Sequence, residues 1–224
     1  MGEDLQGRTT DGFASRPRTV KERFAVMHRL VDSPPLDLPL ENWSDLYELT
    51  VAFRPDVVLE LGRGCGNSTC VLTEAAGVVG CRVFSIGFDS EHVWETRSAP
   101  RLEQVVDVDW FAPLTVLHDD ITTLDFQPLL VGSRRTLVLW DVHGADVAEA
   151  VLGRLLPGLP AKNKVVVDDI WPTPDRYGFQ AEYQAGPLWS QFEEVLPLWV
   201  YLTEREIEFE PGERWITFTA REAK

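Results

Sequence analysis

Cysteine is scarce in these 224 residues, with Cys65, Cys70 and Cys81 alone. Three scattered thiols make neither a disulfide framework nor a CxxC metal set. Basic residues are outnumbered as well, 21 Lys and Arg against 36 Asp and Glu, for a net charge of −15. Affinity for a phosphate backbone comes from clustered Lys and Arg, and no such cluster exists here, so nucleic acid is not an expected partner. The same shortage argues against an anionic membrane surface. No apolar run approaches the roughly 20 residues that cross a bilayer. The opening MGEDLQGRTTDGF has no basic region followed by an apolar stretch, which speaks against a secretory signal and for a cytoplasmic protein. Internal repeats and low-complexity segments are absent. What is present is ordinary globular material, 44% hydrophobic and 25% charged, enough to bury a core.

Residues 1–17 are polar and aperiodic and read as a flexible tail, leaving 18–224 as a single domain. Val20, Phe24, Met27 and Val31 recur on one helical face, and Trp43, Leu46, Tyr47 and Val51 mark a second helix over 41–53; together they form an N-terminal helical part, 18–54. Short apolar runs then alternate with helical stretches. Strands are expected at 57–61, 82–87, 114–118, 136–140 and 164–168. Each is nearly continuous in apolar residues, as suits parallel strands covered on both faces. Helices are expected between them, one broken at Pro100, with a short element near 124–131. The alternation implies βαβ crossovers and an α/β, Rossmann-like, doubly wound, mostly parallel sheet. Residues 171–187, rich in Pro, Gly and aromatics, read as a lid-like loop over the strand ends, and a helix is expected around 188–198. IEFE and RWITFTA, joined by Pro-Gly-Glu, form a C-terminal antiparallel pair.

The most informative stretch is VVLELGRGCGNST, 57–69. A buried strand ends at Glu60, glycines follow at Gly62, Gly64 and Gly66, and Asn67 or Ser68 is placed to cap the next helix. Glycine allows a tight turn with positive φ and lets a ligand lie against the backbone, and the N–H groups at the helix start attract a negative ligand group. A dinucleotide turn would carry glycine at 67, where this chain has Asn67. The pattern E-x-G-x-G-x-G instead resembles the first motif of class I S-adenosylmethionine (SAM)-dependent methyltransferases. The resemblance covers about residues 40–170 and implies SAM held by Glu60, Gly62, Gly64, Gly66, Asn67 and Ser68. It implies an acid at the end of the second strand for the ribose. That position is Gly87, a departure, and the nearest acid is Asp89. Asp120 and Ile121, after the third strand, fall where the family reads the adenine edge.

The fourth strand ends in Asp141 and the fifth in Asp168 and Asp169. Ligands bind beyond the carboxyl ends of such strands. This arrangement resembles the metal-dependent O-methyltransferases of catechols, caffeoyl esters and macrolide sugars, and implies Mg²⁺ at Asp141, Asp168 and Asp169. Hard oxygen ligands suit that ion, and a hydroxyl coordinated there loses its proton more easily. His143 is placed to serve as base or ligand beside Asp141. Catechol-type enzymes often carry Lys three residues after the first Asp; here that residue is Gly144. Trp140, Trp171, Tyr177, Phe179, Tyr183 and Trp189 are candidates for an apolar acceptor pocket, although Trp140 fits core packing equally well. Cys65 reads as inert. The expected activity is therefore SAM-dependent O-methylation of a hydroxylated small molecule, with homodimer formation left open. Two alternatives stay open: a methyltransferase-fold protein that does not methylate, and an NAD-dependent oxidoreductase.

Overall fold

The computed structural model describes residues 19–31, 38–88, 91–171 and 183–220. The 1–17 segment, Asp89, Tyr177, Phe179 and most of the 171–187 loop lie outside them.

Helix α1 (Val20–Leu30) starts in a capping box, in which the Thr19 side chain accepts from Glu22 and Glu22 returns the bond to Thr19. Helix α2 (Leu40–Phe53) ends at Arg54, in the left-handed conformation, just before Pro55. From there the chain builds the sheet: β1 (Val57–Leu61), α3 (Asn67–Val79), β2 (Arg82–Ile86), β3 (Leu114–Leu117), β4 (Arg135–Trp140) and β5 (Lys162–Val167). Between β2 and β3 lie a π-helical turn, Trp94–Ser98, and a short α4 (Ala99–Leu102). The expected short element is α5 (Gln127–Leu130). The helix before β5 begins as α6 (Ala145–Ala150) and widens into a π-helical turn, Val151–Leu155.

One expectation fails. No helix spans 188–198; Leu188–Ser190 is strand β7, paired with β6 (Tyr183–Ala185), and helix α7 runs Val195–Glu204 instead. The reason is local: Gly186 takes a φ of 62° in the turn before Pro187 and reverses the chain, while Leu188 and Ser190 face inward with Trp189 between them. Finally, β8 (Phe209–Pro211) and β9 (Ile216–Phe218) form the expected antiparallel pair.

The strand order is β3-β2-β1-β4-β5-β9-β8, parallel through β5, with β9 antiparallel to β5. Alternate residues of each strand enter two separate cores. Val57, Leu59, Leu61, Val138, Trp140, Val165 and Val167 pack with α6 and α7. Val58, Leu137, Leu139 and Val166 pack with α1, α2 and α3 on the other face. Fully burying each such aliphatic side chain is worth about 1.5–3 kcal/mol, so both layers hold the central strands. The topology has one functional consequence. The chain leaves β1 toward β2 and β3, then returns to the opposite side of β1 with β4. Binding crevices in open α/β sheets form at such a reversal, here between the ends of β1 and β4. Among the described residues, no helix is long and apolar enough to cross a membrane.

Candidate active site

The turn after β1 is held from three sides. Gly62 N–H donates to Ile86 of β2 at 2.9 Å, and Asp141 N–H donates to Leu61 at 2.8 Å, which ties the β4 end to this turn. Gly62, with φ of 95°, lies so close to β4 that a Cβ there would sit 1.9 Å from the Asp141 carbonyl oxygen. Gly66, the N-cap of α3, lies under the Trp94 ring, which a Cβ would meet at 2.3 Å. Gly64 differs: a Cβ added there meets nothing within 4 Å. Its backbone faces open space, where a ligand can approach.

Glu60 is fully buried beneath the turn and accepts hydrogen bonds from Ser68 Oγ at 2.5 Å and Thr69 Oγ1 at 2.8 Å. Burial pushes its carboxyl above the usual range, against these hydroxyls and the Arg63 charge. The structure thus uses Ser68 to tie α3 to Glu60. Gly66 is the N-cap, and no side chain caps the helix.

Arg63 packs against Gly87. Its buried guanidinium crosses the ends of β2 and β3 and donates to the carbonyls of Ser85 at 2.8 Å and Leu117 at 3.2 Å. A Cβ at Gly87 would lie 3.2 Å from Arg63 Cβ and 3.4 Å from its guanidinium carbon. The arginine leaves little room for a side chain at 87. Beyond it, His118, Glu95 and His92 form a chain, with His118 Nε2 2.6 Å from Glu95 and 3.3 Å from His92 Nδ1. Arginine is always a donor, and Arg63 Nη2 lies 3.4 Å from His118 Nδ1. That puts the lone pair on Nδ1 and the proton on Nε2, toward Glu95, so the chain is satisfied as a hydrogen-bonded network. The candidates after β3 have local roles here. Asp120 accepts from the backbone and hydroxyl of Thr122 at 2.8 and 2.7 Å, and Ile121 is buried in the core beside α6.

Of the three acids at the ends of β4 and β5, Asp141 and Asp169 converge and Asp168 is withdrawn. Asp168 is buried, with both carboxylate oxygens 3.0 Å from Arg214 Nε. Burial pushes its carboxyl up to about 6, with Arg214 pulling it down and the Asp169 charge pushing further up. Arg214 also reaches Asp169 Oδ1 at 2.9 Å, leaving Oδ2 toward His143 Nε2 at 3.6 Å. Asp141, His143 and Asp169 each offer a ligand atom, all within 4.8 Å of one another. Asp169 adopts φ of 56°, an uncommon backbone for a residue other than glycine, which sets its side chain apart from that of Asp168.

Three residues here were not found in the sequence. Arg214, before β9, is one. The others follow β7: Glu194 Oε1 lies 2.6 Å from His143 Nδ1, and the Phe192 ring stacks on the imidazole with centroids 3.4 Å apart. Nothing in local periodicity marks them. Arg214 had a faint signal, being one of only two cations, with Arg205, between residues 187 and 220.

No family model and no curated protein matches the sequence. Solved structures do match. An SAH-bound methyltransferase of Podospora anserina aligns with TM-score 0.56 at 12% identity, over 90% of this chain and 87% of that one. The O-methyltransferase TomG of Streptomyces achromogenes, involved in tomaymycin synthesis and solved with SAM, aligns with TM-score 0.54 at 17% identity, over 91% and 89%. The apo TDP-rhamnose 3'-O-methyltransferase of calicheamicin biosynthesis aligns with TM-score 0.57 at 15% identity, over 88% and 93%. Together with the strand order and the antiparallel β9, these likenesses identify the fold of this chain as that of the class I SAM-dependent methyltransferases.

Proposed function

We propose that this chain is a SAM-dependent methyltransferase acting on a hydroxyl group of a small molecule. One observation carries the reading: the open face of Gly64 lies in the turn that Gly62 fastens to Asp141, so a cofactor against that turn would border the acid and histidine cluster. The structural neighbours named for SAM or SAH and for O-methylation support the choice of ligand and reaction. In this reading Glu60, through Ser68 and Thr69, sets the turn and the first turn of α3. Gly62, Gly64 and Gly66 keep the cofactor's amino-acid end against the backbone.

The residues at the β4 and β5 ends fit a divalent cation, with two carboxylates and one imidazole around a common point. Asp141, Asp169 and His143 would hold it. Asp168, engaged by Arg214, serves the ion pair instead. An imidazole beside two carboxylates departs from the all-oxygen set that suits Mg²⁺ and admits first-row transition-metal ions, for which Mn²⁺ serves as the probe. A cation held there would supply Lewis acidity, making an acceptor hydroxyl easier to deprotonate near neutral pH. The chain's own contribution is placement, because in-line methyl transfer depends mostly on aligning acceptor oxygen, methyl carbon and sulfur.

Calorimetry with S-adenosylhomocysteine, followed by methyl transfer to a panel of hydroxylated sugars and phenols with and without EDTA, tests this. Binding, with product formation lost in EDTA and restored by Mn²⁺, is the expected result. Arg63 at the ribose position favours a second reading, in which the turn binds another nucleotide and does not methylate. Absence of S-adenosylhomocysteine binding alongside binding of NAD or another nucleotide would select it.

A further inference from the structure

We propose that Glu194 is a positioning residue that fixes the proton of His143 on Nδ1 and turns the lone pair of Nε2 toward Asp141 and Asp169. The inference deepens the methyltransferase reading and rests on it for the purpose of that lone pair, though not for the lone pair's existence.

Glu194 is buried, 1% exposed, at the start of α7. Both of its oxygens are engaged by the β4–α6 loop: Oε1 lies 2.6 Å from His143 Nδ1, and Oε2 accepts from Gly144 N–H at 3.1 Å. The other face of the imidazole tells the same story. Nε2 lies 3.6 Å from Asp169 Oδ2, beyond hydrogen-bond distance. The asymmetry assigns the proton to the Glu194 side. Phe192 then fixes the ring plane, stacked within 6° of parallel. His143 is thereby aimed by two residues about 50 positions away. A carboxylate behind an imidazole in this way also raises its strength as a ligand.

Glutamine at 194 cannot reproduce this pattern. Its one carbonyl oxygen goes to Gly144 N–H, because that backbone donor is fixed and would otherwise face the amide NH₂, whereas the imidazole can change tautomer. The amide NH₂ then faces Nδ1 and the histidine proton moves to Nε2, closing that atom to a cation.

The experiment uses the full chain labelled with ¹⁵N-histidine. The four histidines give few enough signals for His143→Asn to assign the resonance of interest. In slightly alkaline buffer the wild type should show His143 protonated on Nδ1 and bare on Nε2. In Glu194→Gln the two should exchange, Mn²⁺ affinity should fall about 10–100-fold, and S-adenosylhomocysteine affinity should stay within about twofold. A wild-type signal with the proton on Nε2 overturns the proposal, whether or not the variant folds. So does a folded Glu194→Gln that keeps the wild-type tautomer. The tautomer readout depends on neither cofactor nor cation. A wild type with the expected tautomer that binds neither Mn²⁺ nor S-adenosylhomocysteine therefore upholds the positioning role and removes the methyltransferase reading alone.

Discussion

Arg214 places its Nε 3.0 Å from both oxygens of Asp168, at the point where β5 ends. The backbone sets this meeting, since Ile170 N–H donates to the Arg214 carbonyl at 3.1 Å. Removing the cation leaves a buried carboxylate beside a second acid. Breaking a buried pair by deleting one partner costs about 3–5 kcal/mol. Arg214→Met should therefore lower unfolding free energy by that amount in urea titrations. Adding Asp168→Asn to it should recover part of the loss.

The two neighbouring aspartates should separate in function. Asn tolerates the left-handed conformation of Asp169, so Asp169→Asn should fold normally and lower Mn²⁺ affinity at least tenfold, about 1.4 kcal/mol. Asp168→Asn should leave Mn²⁺ affinity within a few-fold and reduce stability instead. Calorimetric titration beside thermal melts of both variants reads the contrast. The reverse pattern would return Asp168 to the cation site.

Gly62 and Gly64 form a second contrasting pair. A methyl at 62 would collide with the Asp141 carbonyl, so Gly62→Ala should destabilise by about 3 kcal/mol or more, in the range of severe backbone and packing conflicts. Gly64→Ala meets no atom and carries only the left-handed backbone cost, about 1–2 kcal/mol. Its methyl would stand where the cofactor is proposed to lie, and S-adenosylhomocysteine affinity should fall more than tenfold. Equal affinities for Gly64→Ala and the wild type would count against that placement.

Glu60 gives the chain a pH signature. Because burial raises its carboxyl, the folded protein keeps this proton to a higher pH than the unfolded chain does, whose value is about 4.3. Between those two values the folded state binds more protons, and stability from this group falls as pH rises. Glu60→Gln removes the titration. The stability advantage of the wild type over Glu60→Gln should thus be greatest near pH 4, on the order of the unfolded value, and shrink toward neutrality in denaturant unfolding at successive pH values. A gap that widens toward neutrality would contradict it.

Strands β1, β4 and β5 were legible because burial on both faces forces continuous apolar runs, edge strand β3 was legible from the alternation of elements, and the glycine turn because positive φ and close backbone approach demand glycine. Leu188–Ser190 was misread as helix: three residues are too few to show a period, and the evidence lay in Gly186 and Pro187 before them. Asp168 and Asp169 are adjacent in sequence and chemically alike, and only the φ of 56° at Asp169 and the arrival of Arg214 distinguish them. Glu194 and Phe192 were invisible for a different reason. Their meaning comes from contact with His143 across about 50 residues, and a lone glutamate beside an aromatic carries no spacing to read.

The pairing of Arg214 with Asp168 bears on the order in which this molecule can be made. During synthesis the five parallel strands emerge first, their carboxyl ends bearing Asp141, Asp168 and Asp169 with no guanidinium yet to meet them. β5 has its own pairing with β4, but the Asp168 carboxylate at its end is matched only once Arg214 is in place. Maturation of the pocket and completion of the fold are in this sense one event.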